Sequence, residues 1–360
     1  MNTRRRILSV ACLIALGCTT AAHLTARAQD AVAVPVPDTE IATPPENPHV
    51  EPDLYTARNF DWTDAARKRP VPVKLYLPAK VEDGAKLPLV LFSHGIGGSR
   101  EGYRYLGRYF ASMGYASLHV QHVGSDRQVW GGNPFQLVSR LSGAAQADQA
   151  LSRVQDMKFA LDQLLASEYS QRLDAKRIAV AGHSYGANTT LLMAGARVPF
   201  NGQTLNLRDP RVAAAIVLSA PPFYGLGDPT NMLAGIDIPT LHITATGDDI
   251  NIPGYFSGVD DRISIFKATA VKTNSQKVLA VFKDGSHSVF TDRAGTGGAT
   301  LNPKIKVATR KLALAFLDRV FGQERITLDG WKEAYTPLLA RFEGNLSPAT
   351  GTGISAAASR

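Results

Sequence analysis

Residues 177–196 read RIAVAGHSYGANTTLLMAGA. The run Arg177–Ala181 is apolar without alternation, which is the composition of a strand covered on both faces. Ala187–Ala196 fits a helix, and between the two lies Gly182-His183-Ser184-Tyr185-Gly186. A G-x-S-x-G spelling alone carries little weight, because glycine and serine are common. Strand, sharp turn and helix in that order give it weight, because this is the setting that holds a serine out at the end of a strand. Glycine flanks Ser184 because such a turn brings backbones so close that a Cβ would collide.

Working outward, further β-rich runs are Val71–Leu77, Leu87–Phe92, Ala116–Val120, Ala213–Leu218, Thr240–Thr244 and Lys277–Phe282. Helical stretches lie between several of them: Arg100–Met113, Gln146–Leu165 and Pro303–Phe321. In the last, Ile305, Leu312, Phe316 and Val320 recur near the helical period. This alternation predicts an α/β fold: a mostly parallel central sheet with helices on both faces. The chain between Ala213–Leu218 and Thr240–Thr244 is too short for a large cap domain.

The chain has 360 residues, 44% hydrophobic and 19% charged, enough to bury a large core. The first 28 residues predict a secretory signal peptide, with basic Arg4-Arg5-Arg6, an apolar run from Ile7 to Gly17, and Ala26-Arg27-Ala28 as a cleavage site. The apolar run is short for a bilayer core of about 30 Å, so no permanent membrane span is expected. Thr3 to Leu8 also resembles a twin-arginine export signal, and the expected location is periplasmic or secreted. Ala15-Leu16-Gly17-Cys18 only loosely resembles a lipoprotein processing site, since Ala15 stands where an aliphatic residue is usual.

Cleavage would remove four arginines and no acids, leaving 35 Lys and Arg against 31 Asp and Glu, a net charge of +4 in place of +8. The basic residues are spread without aromatic-interleaved clusters, so nucleic acid is not an expected partner. Cys12 and Cys18 both fall in the signal, so no disulfide, cysteine nucleophile or thiolate site is expected beyond it. Residues 29–53 are rich in proline and read as an extended tether. Residues 344–360 read as a small, polar, disordered tail, and 54–343 as one catalytic domain.

The turn at Ser184 resembles the nucleophile elbow of the α/β-hydrolases, whose chain order is nucleophile, acid, histidine. A serine hydroxyl needs a base to take its proton, so that order demands a histidine late in the chain. Only His242 and His287 follow Ser184, and His242 lies inside a predicted strand, upstream of the acids. His183 adjoins the serine, where the turn should direct its side chain elsewhere. His287, on the glycine-bearing KDGSHSVFT loop, is therefore the expected base.

Two acids, Asp248 and Asp249, end the strand PTLHITATGDD. The register of the hydrolase pattern selects Asp248, whereas counting back from Pro253 favours Asp249. Asp248 is the expected orienter of the His287 ring. Donors for an oxyanion are expected from the backbone N–H of Tyr185 and, in the loop SHGIGGSRE, that of Ile96.

Taken together, PLVLFSHGIGGSREGYRYLGRYFASMGY, RIAVAGHSYGA, TATGDD and GSH resemble the predicted dienelactone hydrolase and platelet-activating-factor acetylhydrolase-like branch of the α/β-hydrolase superfamily, over about residues 68–322. The resemblance implies a serine esterase without metal or organic cofactor, acting on a small-molecule ester. Dienelactone hydrolases use cysteine where this chain has Ser184, which favours short acyl or acetyl-type carboxylic esters. Trp130, Phe135, Phe223 and Tyr224 fall on strand-end loops and are candidates to line a substrate pocket. His119 and His122 are assigned structural roles, since strand spacing puts them on opposite faces. A peptidase or acyltransferase on the same triad, and a non-catalytic binding module on the same fold, are the competing readings, and oligomeric state is not specified by any feature.

Overall fold

The structure, a computed structural model, describes residues 50–223, 226–252, 255–269, 277–292, 300–323 and 325–345. The predicted signal peptide (1–28) and most of the tether lie outside these residues. So does the predicted tail apart from Gly344 and Asn345, which belong to a strand.

The strands are β1 (Tyr55–Asp64), β2 (Arg69–Pro78), β3 (Leu87–Ser93), β4 (Ala116–Val120), β5 (Leu173–His183), β6 (Arg197–Phe200), β7 (Gln203–Asn206), β8 (Val212–Leu218), β9 (Thr240–Gly247), β10 (Ile250–Ile252), β11 (Tyr255–Ser257), β12 (Lys277–Ser286) and β13 (Leu339–Asn345). The helices are α1 (Arg104–Ser112), α2 (Leu137–Ala144), α3 (Ala147–Ala166), α4 (Tyr185–Ala194), α5 (Pro229–Leu233), α6 (Val259–Ala268), α7 (Leu301–Val320) and α8 (Leu328–Tyr335). Nine strands form one sheet in the order β1-β2-β4-β3-β5-β8-β9-β12-β13. The run β4-β3-β5-β8-β9-β12 is parallel, and β2 with β1 on one side and β13 on the other pair antiparallel.

Every strand expected from the sequence is present, most of them a few residues longer. The elements that escaped notice are the outer strands β1 and β13, the hairpins β6–β7 and β10–β11, and the short helices.

The apolar runs of the inner strands feed two cores, one on each face. In β3, Leu87, Leu89 and Leu91 point into one core while Val90 and Phe92 point into the other, the two-residue alternation of a strand. Helix α3 covers the first core with Val154, Met157, Leu161 and Leu164, and α4 adds Leu191. Helices α1 and α7 cover the second with Leu106, Phe110, Ile305, Leu312 and Phe316. Because the crossovers lie on the faces, the carboxyl ends of the parallel strands stay free of them, and that rim is where such sheets hold ligands. Between β8 and β9 the only helix among the described residues is the five-residue α5, so no large cap covers the rim there.

Candidate active site

The loops after β3, β5, β9 and β12 converge on Ser184. The serine sits at φ 56° and ψ −125°, a left-handed conformation uncommon for a residue with a side chain. Its N–H donates to the Leu218 carbonyl at 2.9 Å, and its carbonyl accepts from Ala187 at 2.8 Å. The two glycines are dictated by space. A Cβ on Gly182 would stand 2.2 Å from the Gly186 carbonyl oxygen, and one on Gly186 would stand 2.0 Å from that of Ser93.

The Ser184 hydroxyl lies 2.9 Å from His287 Nε2, and His287 Nδ1 lies 2.6 Å from Asp248 Oδ1. A carboxylate only accepts, so Nδ1 carries the ring proton and Nε2 is left to accept from the serine. His287 opens a short 3-10 turn directly after β12, and Asp248 follows β9. Of the two acids left open by the sequence, Asp248 is fully buried against His287, whereas Asp249 is exposed.

Burial alone would raise the Asp248 carboxyl. The hydrogen bond and charge of His287 and the charge of Arg262 outweigh it, and hold the group well below the usual carboxylate range. Thr244 donates to its other oxygen at 2.6 Å, and the Arg262 guanidinium is 3.5 Å from Oδ1.

The loop after β3 lies against the serine, since a Cβ on Gly95 would be 3.2 Å from Ser184 Cβ. The amide of Ile96 in this loop and that of Tyr185 at the first turn of α4 have no hydrogen-bond acceptor among the described residues. For Tyr185 this follows from its place at a helix N-terminus.

The four aromatic candidates separate. Trp130 rests on the loop, its indole N–H donating to the Gly97 carbonyl at 2.9 Å. Phe135 is 94% exposed, and Phe223 is buried within the first core. Tyr224 lies outside the described residues. His119 stacks on Phe92 at 4.9 Å, while His122 bonds to Ser93 and Asp156, so the two histidines do not meet.

Sequence reasoning missed the polar groups packed behind the site. His183 does point away from the Ser184 hydroxyl, but it lies under His287, with ring centroids 4.8 Å apart. Burial pushes its imidazole down to about 3, so it is neutral. Tyr103 bonds its Nδ1, and Arg153, Thr244 and Arg262 brace the neighbouring loops. Thr244 and Arg262 flank the acid in sequence, and a search for hydroxyl or cationic partners of Asp248 would have found them.

A mostly parallel sheet that presents serine, carboxylate and histidine in this chain order at its carboxyl rim defines the α/β-hydrolase fold. Within that class, residues 68–128 match the family described as platelet-activating factor acetylhydrolase, isoform II. The chain is also 27% identical over 324 residues to platelet-activating factor acetylhydrolase of Cavia porcellus, covering 77% of this chain and 66% of the relative, just under two thirds of its length. Both comparisons bear out the resemblance to the platelet-activating-factor acetylhydrolase-like branch. The family match spans β2, β3, the loop carrying Ile96, α1 and β4, and stops short of Ser184, Asp248 and His287.

Proposed function

We propose that this chain is an exported serine hydrolase that cleaves carboxylic esters with short acyl or acetyl-type groups through an acyl-enzyme on Ser184. The observation that carries the proposal is the unbroken hydrogen-bond series from the Ser184 hydroxyl through His287 to buried Asp248. The similarity to a platelet-activating factor acetylhydrolase supports an ester as the substrate class.

In this reading Ser184 Oγ attacks the ester carbonyl carbon as its proton moves to His287 Nε2. The carbonyl π pair moves onto oxygen, which accepts hydrogen bonds from the N–H groups of Ile96 and Tyr185, each worth about 3 kcal/mol in the transition state. The tetrahedral intermediate collapses, and the leaving alkoxide takes the proton from the His287 imidazolium. Water then attacks the acyl-enzyme with His287 as base, releasing the carboxylic acid and restoring the Ser184 hydroxyl. Asp248 stays ionised throughout and stabilises the imidazolium.

The absence of a large cap over the β8–β9 rim favours an open site. Export rests on the basic, apolar and A-x-A segments of residues 1–28, and predicts a mature N-terminus at Gln29.

A fluorophosphonate probe followed by mass spectrometry, beside a panel of esters of graded acyl length, tests the proposal. Labelling on Ser184, with turnover abolished in Ser184→Ala, is the expected result. Full turnover in Ser184→Ala would overturn it.

A further inference from the structure

We infer that Arg153 is the positioning residue of the oxyanion site: one buried guanidinium that holds in register the two elements carrying the Ile96 and Tyr185 amides. This rests on the reading of those amides proposed above and extends it to a residue 31 positions before the serine.

Arg153 lies in α3 and is fully buried. Four of its N–H donors are engaged, and each reaches a segment that the site depends on. At the end of β3 and the start of the loop after it, Nη2 donates to the Ser93 hydroxyl at 3.0 Å and to the His94 carbonyl. On the loop after β4, Nη1 donates to the Ser125 hydroxyl at 2.7 Å. On the nucleophile helix α4, Nε donates to the Thr189 hydroxyl at 3.1 Å. The plane also lies over the Tyr185 ring, 5.0 Å from its centroid, and the far end of that ring donates to the Gln146 carbonyl at the start of α3.

The consequence for Ile96 follows from peptide geometry. In a trans peptide the N–H of one residue points opposite to the C=O of the residue before it, and no peptide among the described residues is cis. The His94 carbonyl faces Arg153, so the Gly95 N–H faces the other way, to Tyr103 Oη at 3.3 Å. The Gly95 carbonyl in turn accepts from His94 Nδ1 at 2.6 Å and from the Gly98 N–H at 3.0 Å. The Ile96 N–H therefore points away from both, with no acceptor among the described residues. Gly97 N–H donates to the Ser125 carbonyl at 2.9 Å and closes the loop.

The acceptors of Arg153 are themselves anchored. The Ser93 hydroxyl donates to His122 Nε2 at 3.0 Å, and His122 Nδ1 donates to Asp156 at 3.1 Å. Arg69 clamps Asp156 with bonds of 2.7 and 3.0 Å. This repeats the order serine, histidine, aspartate of the site, but with Ser93 wholly buried and its oxygen occupied by Arg153. Its geometry suits bracing, and not attack.

A lysine keeps the charge of Arg153 but cannot reproduce a fork that reaches three elements at once. The test compares Arg153→Lys with the parent on matched oxo- and thionoesters, because a thiocarbonyl gains little from oxyanion donors. The expected result is a fall of about 100-fold in kcat/KM on the oxoester, carried by kcat, with a much smaller fall on the thionoester. An equal fall on both, or none, would overturn the inference. Should Arg153→Lys fail to fold, Ser125→Ala removes one of the Arg153 acceptors, together with a long bond to the His122 carbonyl, and should compress the oxo/thiono ratio several-fold. An unchanged ratio there overturns the inference as well. Ser184→Ala separates the two proposals: an inactive Ser184→Ala beside an unchanged ratio overturns the role of Arg153 alone, whereas an active one overturns both.

Discussion

His183 and His287, 104 residues apart, are joined by a hydrogen bond of 2.9 Å from the ring of the first to the backbone carbonyl of the second. The carbonyl can only accept, so His183 Nε2 carries the proton and its Nδ1 must accept. The group 2.8 Å from Nδ1 is the Tyr103 hydroxyl, which therefore donates, and the same oxygen accepts from the Gly95 N–H. A single run of bonds thus links the loop beside the oxyanion site to the loop that carries the base.

Tyr103→Phe cuts this run in the middle and leaves two buried groups, the Gly95 N–H and His183 Nδ1, without that partner. Each such loss costs about 1–3 kcal/mol. The variant should unfold at a lower urea concentration and turn over ester more slowly, because the His287 loop is less firmly set. Unchanged urea midpoint and unchanged turnover would show that the link carries no weight.

Asp248 and Asp249 are adjacent, but only the first is buried on His287. Asp248→Asn leaves the shape and removes the charge, so His287 can adopt the wrong tautomer. A loss of about 10⁴ in kcat is expected, as is general for this substitution in serine triads. Asp249→Asn should stay within a few-fold of the parent. Steady-state kinetics on one ester decides between them.

Gly186→Ala should abolish soluble folded protein, because its Cβ would stand 2.0 Å from the Ser93 carbonyl oxygen and 2.7 Å from that of His94, both of them backbone. Gly84→Ala is the matching control. Gly84 has φ 77° with nothing within 4 Å of the added carbon, so only the left-handed conformation opposes it, at about 1–2 kcal/mol. Expression yield and thermal unfolding of the two variants separate a collision from a conformational preference.

The parts of the site legible in the sequence are those written locally. The elbow around Ser184 is a strand, two glycines and a helix in one stretch, and the strands that deliver Asp248 and His287 are continuous apolar runs. The choice of Asp248 over Asp249 needed either a family register or a structure, since only burial against His287 separates them. Strand β1 escaped because it is an outer strand with mostly exposed residues and no apolar run. The bracing groups escaped for another reason. Tyr103 meets His183 from 80 residues away and Arg153 meets Ser93 from 60, and nothing in the local pattern marks a polar residue that will find its partner in the core. The family match falls on a segment without Ser184, Asp248 or His287, so it carries no information on those three residues.

Acid should unfold this protein early, and the cause is histidine. Burial pushes His119 down to about 4 and His183 and His242 to about 3, and it holds His94 and His122 well below the ordinary range. Each is neutral in the folded state and takes a proton near pH 6.5 once unfolded. The unfolded chain therefore binds more protons below that pH, and stability must fall as pH falls. Each histidine contributes a slope of up to about 1.4 kcal/mol per pH unit between about 6.5 and its folded value. Asp156, raised by burial, opposes this as one group against five. Asp248, depressed, adds nothing until the pH drops below the ordinary carboxylate range. Urea unfolding at pH 7.5, 6.5 and 5.5 should show a modest loss of stability over the first step and a loss about three times larger over the second. A flat profile from 6.5 to 5.5 would mean that these histidines are not neutral in the fold, and the tautomers assigned to His183, His94 and His122 would fall with them.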